Sequence, residues 1–175
     1  MAKRMGDEEN SLFRFCPFCG QALTTYHDGE RLRRRCKDCN WIHYRNPTVG
    51  VAVILLSDEG LWLGKRRSGG WCIPCGHVEW DESIQEAARR EALEEIGVEV
   101  SLRQIFSVHS NFHNPDQHTV GIWFLVEAQD LSPASAGGDL IELKPFPLEQ
   151  IPELVFPTDR LVIEEIKELF LHDDS

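Results

Sequence analysis

Two Cys-x-x-Cys pairs, Cys16 with Cys19 and Cys36 with Cys39, are separated by sixteen residues in a segment with little else to fold around. Residues 14–45 offer cysteine, arginine and scattered aromatics but few aliphatics, so they cannot build an apolar core unaided. Four thiolates at this spacing suit tetrahedral ligation of Zn2+, and the metal would supply the stabilisation that packing cannot. Free or disulfide-bonded thiols are the alternative. The segment is expected to be a small zinc ribbon, preceded by a loose polar tail over residues 1–13.

A chain of 175 residues has room for one ordinary domain beside such a module. Acidic residues outnumber basic ones, 29 to 18, for a formal charge of -11. The protein as a whole should therefore repel nucleic acid and anionic membranes, and a polyanionic substrate would need cations at its site. The first residues lack the apolar run of a signal peptide. No later segment approaches the roughly 20 apolar residues of a membrane span. A soluble, cytoplasmic protein with no membrane partner is the expectation.

From Pro47 the pattern changes. Thr48 to Leu56 is dense in β-branched and aliphatic residues and predicts a buried strand. Ser57 to Gly60 is a turn signal, Leu61 to Lys65 a returning strand, and Ser68 to Gly70 a glycine-rich loop. Ser83 to Ile96 predicts a helix, with Ser83 and Glu86 spaced for a capping box and Gly97 placed to end it. Further strands are expected at Val100 to Ser107 and His118 to Glu127, then a flexible loop from Asp130 to Gly138. Thr158 to Leu171 reads as a closing amphipathic helix with Thr158 as its cap. Interleaved strands and helices with a hairpin indicate a mixed α/β sandwich.

The first helix breaks the usual rule for an amphipathic segment. At about 100° per residue, Ile84, Ala87 and Ala88 form the inward face, and Glu91, Glu94 and Glu95 fall on that same side. Glu82, Glu86, Arg89 and Leu93 lie opposite. Carboxylates gathered in a partly dry place raise one another's pKa, so a cation must sit among them. A hard divalent ion such as Mg2+ takes carboxylate oxygens and also binds substrate phosphates. Arg90, one turn before Glu94, can pair with it. The bland reading is a solvated glutamate-rich helix.

Read with the residues before it, this helix gives Gly76, five residues, Glu82, seven residues, then Arg90-Glu91-Ala92-Leu93-Glu94-Glu95-Ile96-Gly97-Val98. The stretch resembles the Nudix box in every charged and glycine position. Ala92 stands where a larger aliphatic is usual, and Cys75 replaces the first glycine of a frequent Pro-Gly-Gly. The resemblance implies an α/β/α sandwich with a mixed sheet over residues 46–172 and hydrolysis of a nucleoside diphosphate linked to another group. It implies Mg2+ or Mn2+ held by Glu91, Glu94 and Glu95, with Glu82 as a further ligand or a support. Arg90 would orient a glutamate, and the Cys75 carbonyl could complete the coordination. The general base is open among Glu91, Asp139 and Glu142, the last two following the flexible loop where relatives carry an extra acid. As ordinary strand-end acids, Asp139 and Glu142 would have no such role.

The ribbon followed by Trp41 to Pro47 resembles the N-terminal segment of a Nudix subgroup that includes NADH, ADP-ribose and FAD pyrophosphatases. The NADH enzymes carry a Ser-Gln-Pro-Trp-Pro-Phe-Pro motif after the box, and Ser107 to Pro115 does not match it. ADP-ribose or FAD is therefore favoured as the small-molecule nucleotide substrate. Homodimers are frequent in the subgroup, so a homodimer is a possible assembly. Arg31, Arg33, Arg34, Arg35 and Lys37 crowd into the ribbon, and a nucleic-acid-binding or RNA-end-processing protein is the alternative reading, against a solvated hairpin face. Cys72 and Cys75 form a third Cys-x-x-Cys, but a redox role needs the first cysteine at a helix N-terminus, and the helix starts later. Trp71, Trp80 and Phe112 could stack on a base or simply pack. Arg66 and Arg67 could meet phosphates or cap the sheet edge.

Overall fold

Residues 13–171 are described by the computed structural model, and they divide into two compact units, one through Asn46 and the other from Pro47. The rest of the tail expected over residues 1–13 lies outside the described residues. Phe13 itself packs against Trp41 and His43, with ring centroids 6.1 and 4.5 Å away.

The first unit is an antiparallel sheet of β1 (Thr24–His27), β2 (Leu32–Arg35) and β3 (Ile42–His43), in that order. Asp28 closes the β1–β2 turn, its Oδ1 accepting from the N–H groups of Glu30 and Arg31 at 2.9 and 2.8 Å. Each cysteine pair is followed by a residue in the left-handed region, Gly20 at φ 74° and Asn40 at φ 62°. That conformation turns the chain after each pair, whose sulfur atoms face one another, and glycine and asparagine tolerate it best. Several basic side chains brace this sheet. Arg33 pairs with Asp28 and lies over the Tyr44 ring, Arg34 donates to the Leu23 carbonyl at 2.7 Å, and Arg35 donates to Asn40 Oδ1 at 2.6 Å.

The second unit contains β4 (Thr48–Ser57), β5 (Gly60–Arg66), β6 (Trp71–Cys72), β7 (Cys75–His77), α1 (Ile84–Ile96), β8 (Ser101–Asn111), β9 (Thr119–Glu127), β10 (Leu140–Phe146) and α2 (Pro157–Leu171). The sheet runs β10-β5-β4-β9-β8, with β6 on β5 and β7 on β4. Strands β4 and β9 pair in parallel, Thr48 to Leu55 lying beside Thr119 to Val126. Strand β4 forks along its other edge: Gly50 to Ala52 pair with β7, and Leu56 and Ser57 pair with β5. Because side chains alternate along a strand, Val51, Val53 and Leu55 meet α1, while Ala52 and Ile54 meet Val162, Ile163 and Ile166 of α2. The result is the α/β/α sandwich with a mixed sheet.

Helix α1 is capped as expected. Ser83 Oγ accepts from the Glu86 N–H at 3.2 Å, Glu86 Oε2 accepts from the Ser83 N–H at 2.7 Å, and Gly97 ends the helix at φ 78°. Ala87, Ala88, Ala92 and Ile96 are fully buried, and the small alanines let the helix lie close on β4. Truncating Ile96 to alanine would cost about 2–5 kcal/mol at such a site.

Helix α2 departs from expectation at its start. It begins at Pro157, whose missing N–H and fixed φ suit the first helical position. Thr158 is consequently inside the first turn, and its hydroxyl caps nothing. Strand β8 runs on to Asn111, past Ser107, and β10 is an edge strand not expected from the sequence. The loop from Asp130 to Gly138 is anchored on α1, the Ser135 and Gly137 N–H groups donating to the carbonyls of Ile96 and Glu95. Among the described residues, no helix is long and apolar enough to cross a membrane.

Candidate active site

The second half of α1 carries its acids toward β7, but not equally. Glu91 and Glu95 are 8% and 4% exposed, whereas Glu94 stands out at the rim. Arg90 gathers the acids. Its Nη1 donates to Glu91 Oε1 at 2.7 Å and to Glu94 Oε2 at 3.1 Å. Its Nε and Nη2 grip Glu82 at 3.0 and 2.6 Å, and Nη2 also donates to the His77 carbonyl at 3.0 Å. This fork ties the helix to the loop before it. The Arg90 hydrogen bonds, helped by the Glu79 N–H, hold the Glu82 carboxyl at about 2, and the Arg90 guanidinium is correspondingly shifted upward.

Glu95 is in the opposite situation. Burial pushes its carboxyl up to about 7, and the neighbouring Glu91 adds to the rise. The Cys75 N–H, donating to Glu95 Oε2 at 2.7 Å, and the charge of Arg66 oppose it. Two adjacent buried carboxylates, of which Glu91 pairs with Arg90 while the Glu95 carboxyl stays raised, are chemically suited to a hard divalent ion, which takes oxygen donors.

Strand β7 closes over these acids with no space to spare. A Cβ at Gly76 would sit 1.9 Å from Glu91 Oε1. The backbone of Cys75 is not in the left-handed region, so cysteine costs that turn no strain. Its thiol is pushed well up by the neighbouring Cys72 and by burial. A reactive cysteine needs the reverse shift, and Cys72 lies fully buried on β6 rather than at a helix N-terminus. The redox reading of this pair lacks its geometry.

Beside β7 opens a cavity of about 250 Å³, lined by Ala52, Gly76, Arg66, Trp123, Thr158 and Asp159 among others. Arg66 Nη2 meets Asp139 Oδ2 at 3.1 Å, and both line it. Glu142 does not. It sits on the edge strand with its carboxylate between Lys144 at 2.8 Å and Lys65 at 3.6 Å. Asn111, His113, Asn114 and Gln117, from the end of β8 and the following loop, line the cavity too. Of the aromatic candidates, Trp71 packs edge-on against Phe146 at 4.8 Å, Trp80 is fully exposed, and Phe112 stacks on His118 at 4.2 Å beside the cavity residues.

Asp159 was invisible to sequence reasoning. An acid in the first turn of a helix is ordinarily a solvated partner of the helix dipole. Here it is 2% exposed, accepting from the Ile73 N–H at 3.0 Å and from Trp123 Nε1 at 3.3 Å. No periodic signal links it to residues so distant in the chain.

In the first unit, the sulfur atoms of Cys16, Cys19, Cys36 and Cys39 all lie within 4.8 Å of one another, with separations of 3.5 Å (Cys16–Cys39), 3.4 Å (Cys19–Cys36) and 3.7 Å (Cys19–Cys39). Tetrahedral bonds of about 2.3 Å require sulfur–sulfur edges of about 3.8 Å. A disulfide would need about 2.05 Å. The donors fit a zinc ion, and among the described residues this is the one group of three or more such ligands drawn so close.

Comparison with known proteins agrees on both units. Residues 46–166 match the NUDIX domain model, and residues 14–45 match the Nudix N-terminal zinc-ribbon model. An ADP-ribose pyrophosphatase of Methanocaldococcus jannaschii is 30% identical over 124 residues, covering 68% of this chain and 73% of its own length. An NAD-capped RNA hydrolase, NudC, of Chromobacterium violaceum is 30% identical over 152 residues, covering 82% of this chain. The match spans only 54% of that relative's length. The crystal structure of a NUDIX hydrolase from Nitrosomonas europaea superposes with a TM-score of 0.81 at 28% identity, covering 91% of this chain and 93% of its own.

Proposed function

This chain belongs to the Nudix hydrolase family, and we propose that it cleaves the pyrophosphate bond of a nucleoside diphosphate derivative, ADP-ribose or FAD ahead of NADH. What supports this reading most is the pairing of buried Glu91 and Glu95 against Gly76 and Cys75 of β7, two residues that line a cavity together with Arg66. In the proposal Glu91, Glu94 and Glu95 hold Mg2+ or Mn2+, with the Cys75 carbonyl as a further donor. Such an ion supplies charge neutralisation at the phosphate oxygens and acidifies water.

The chain's own residues do the positioning. Arg90 fixes Glu82, Glu91 and Glu94 in advance, so little order has to be gained on binding. Arg66 presents a guanidinium toward the substrate phosphates. As the residue that takes a proton from water, Asp139, which lines the cavity, and Glu91, which lies against Gly76 of its wall, are favoured over Glu142, which does not line it. Zn2+ in the ribbon is structural, since four thiolates leave no open position.

A panel of ADP-ribose, FAD, NADH and a nucleoside triphosphate, each with Mg2+ or Mn2+, tests the proposal. AMP should be released from ADP-ribose or FAD. Turnover confined to the triphosphate, or to none, would overturn it.

A second reading, action on NAD-capped RNA, is favoured by the NudC match, which at 82% of this chain must include part of the ribbon unit. Against it, Arg33, Arg34 and Arg35 are already engaged within the ribbon. RNA binding with a steep loss of affinity as salt rises would support this reading.

A further inference from the structure

Thr158 is 6% exposed and lines the cavity, yet its Oγ1 has no hydrogen-bond partner among the described residues. A hydroxyl removed from water loses both a donor and an acceptor interaction, so buried hydroxyls are nearly always partnered. Nothing local calls for threonine here. The helix starts one residue earlier, the hydroxyl caps nothing, and valine has almost the same shape. A partner arriving from the cavity accounts for the residue.

The surroundings narrow what that partner is. Asp159 is buried beside Thr158, its two oxygens pinned by Ile73 and Trp123. A phosphate at this end would meet like charge whenever Asp159 is ionised, whereas a neutral hydroxyl meets none. Trp123 and Phe156 give the cavity apolar walls against which the carbon face of a ring can lie. At about 250 Å³ the space is smaller than sites that enclose whole drug-sized ligands, roughly 300–1,000 Å³. It has room for part of a nucleotide-sized molecule.

Given the pyrophosphatase reading above, on which this rests, we propose that Thr158 is a specificity residue. Its hydroxyl exchanges hydrogen bonds with a sugar hydroxyl on the group linked to the nucleoside diphosphate, a match because both can donate and accept. Arg66, which pairs with Asp139 and lies 5.6 Å from the Phe156 ring centroid, is left to the phosphates.

The test uses the full chain and two non-hydrolysable probes, α,β-methylene ADP-ribose and α,β-methylene ADP, with binding measured by calorimetry for wild type, Thr158→Val and Thr158→Ser. Valine should weaken the ADP-ribose probe by about tenfold and serine by about twofold or less, the range for one neutral hydrogen bond. Neither should alter binding of the ADP probe. The melting temperature of Thr158→Val should equal or exceed wild type, because an unpartnered buried hydroxyl has been removed. An equal loss for both probes, no loss for either, or a lowered melting temperature would overturn the proposal. Failure of the pyrophosphatase reading would show separately, as wild type that binds the probe but releases no AMP from ADP-ribose.

Discussion

Glu91 Oε1 occupies the space that a Cβ on Gly76 would need, 1.9 Å from where that atom would be. The glycine is required by proximity and not by its dihedral angles, since its φ lies outside the left-handed region. Gly76→Ala should therefore leave the strand backbone allowed but push the Glu91 carboxylate aside. A displacement of about 1 Å in a catalytic group costs on the order of 100-fold in rate. Steady-state turnover of the preferred substrate checks this, and near wild-type kcat would mean that Glu91 is free to move.

Glu94 separates chemistry from folding more cleanly than its buried neighbours do. Its side chain is about half exposed and shares Arg90 with two other acids, so Glu94→Gln should change stability little. Metal-dependent hydrolysis should be abolished. Turnover close to wild type in a folded variant would remove Glu94 from the metal site.

Asp159 should leave a signature in the pH dependence of stability. Burial raises its carboxyl to about 7, above an ordinary value of about 3.9, although Ile73 and Trp123 donate to it. The folded protein then holds the proton more tightly than the unfolded chain. This contribution is fully present below about pH 4 and is lost as pH rises to about 7. Glu82 works the other way: held at about 2 by Arg90, it contributes above about pH 4.3 and loses that contribution as pH falls toward 2. Urea unfolding of wild type and Asp159→Asn between pH 4 and 8 should show a flatter slope for the variant. Parallel slopes would contradict the assignment.

The ribbon should depend on its metal while the second unit does not. Cys36→Ser removes a buried thiol of the four-cysteine group, and among the described residues the module has only Cys16, Leu23, Cys36 and Trp41 as its apolar cluster. Bound zinc should fall from about one ion per chain toward zero, with loss of amide protection confined to residues 14–45. Protection lost equally in both units would show that they fold as one.

How far the sequence could be read depended on the range of the interaction. The α1 boundaries followed from Ser83, Glu86 and Gly97, all in contact with their own helix. The hairpin of β4 and β5 and the cysteine module were likewise local. Strand β10 was not, because Lys144 and Pro145 interrupt any alternation and the strand is defined by its pairing with β5. Strands β6 and β7 are too short for a period to register. The helical wheel placed Glu91, Glu94 and Glu95 together, but it could not show that β7 covers the first and third and leaves Glu94 at the rim. Thr158 was misread as a cap because Pro157 already starts the helix. The cavity is formed by residues that meet only after the sheet has closed.

The parallel pairing of β4 with β9 joins Thr48 to Thr119, 71 positions apart. A ribosome therefore releases β4 and α1 well before the strand that supplies Phe124 and Val126 beneath that helix. Until then the cluster against the alanine face of α1 lacks Phe124 and Val126, although β4 and β7 already precede the helix. The cavity beside β7, with Gly121 and Trp123 in its lining, closes only after that long-range pairing, whereas the contacts that Arg90 makes with His77, Glu82, Glu91 and Glu94 join residues close in the chain.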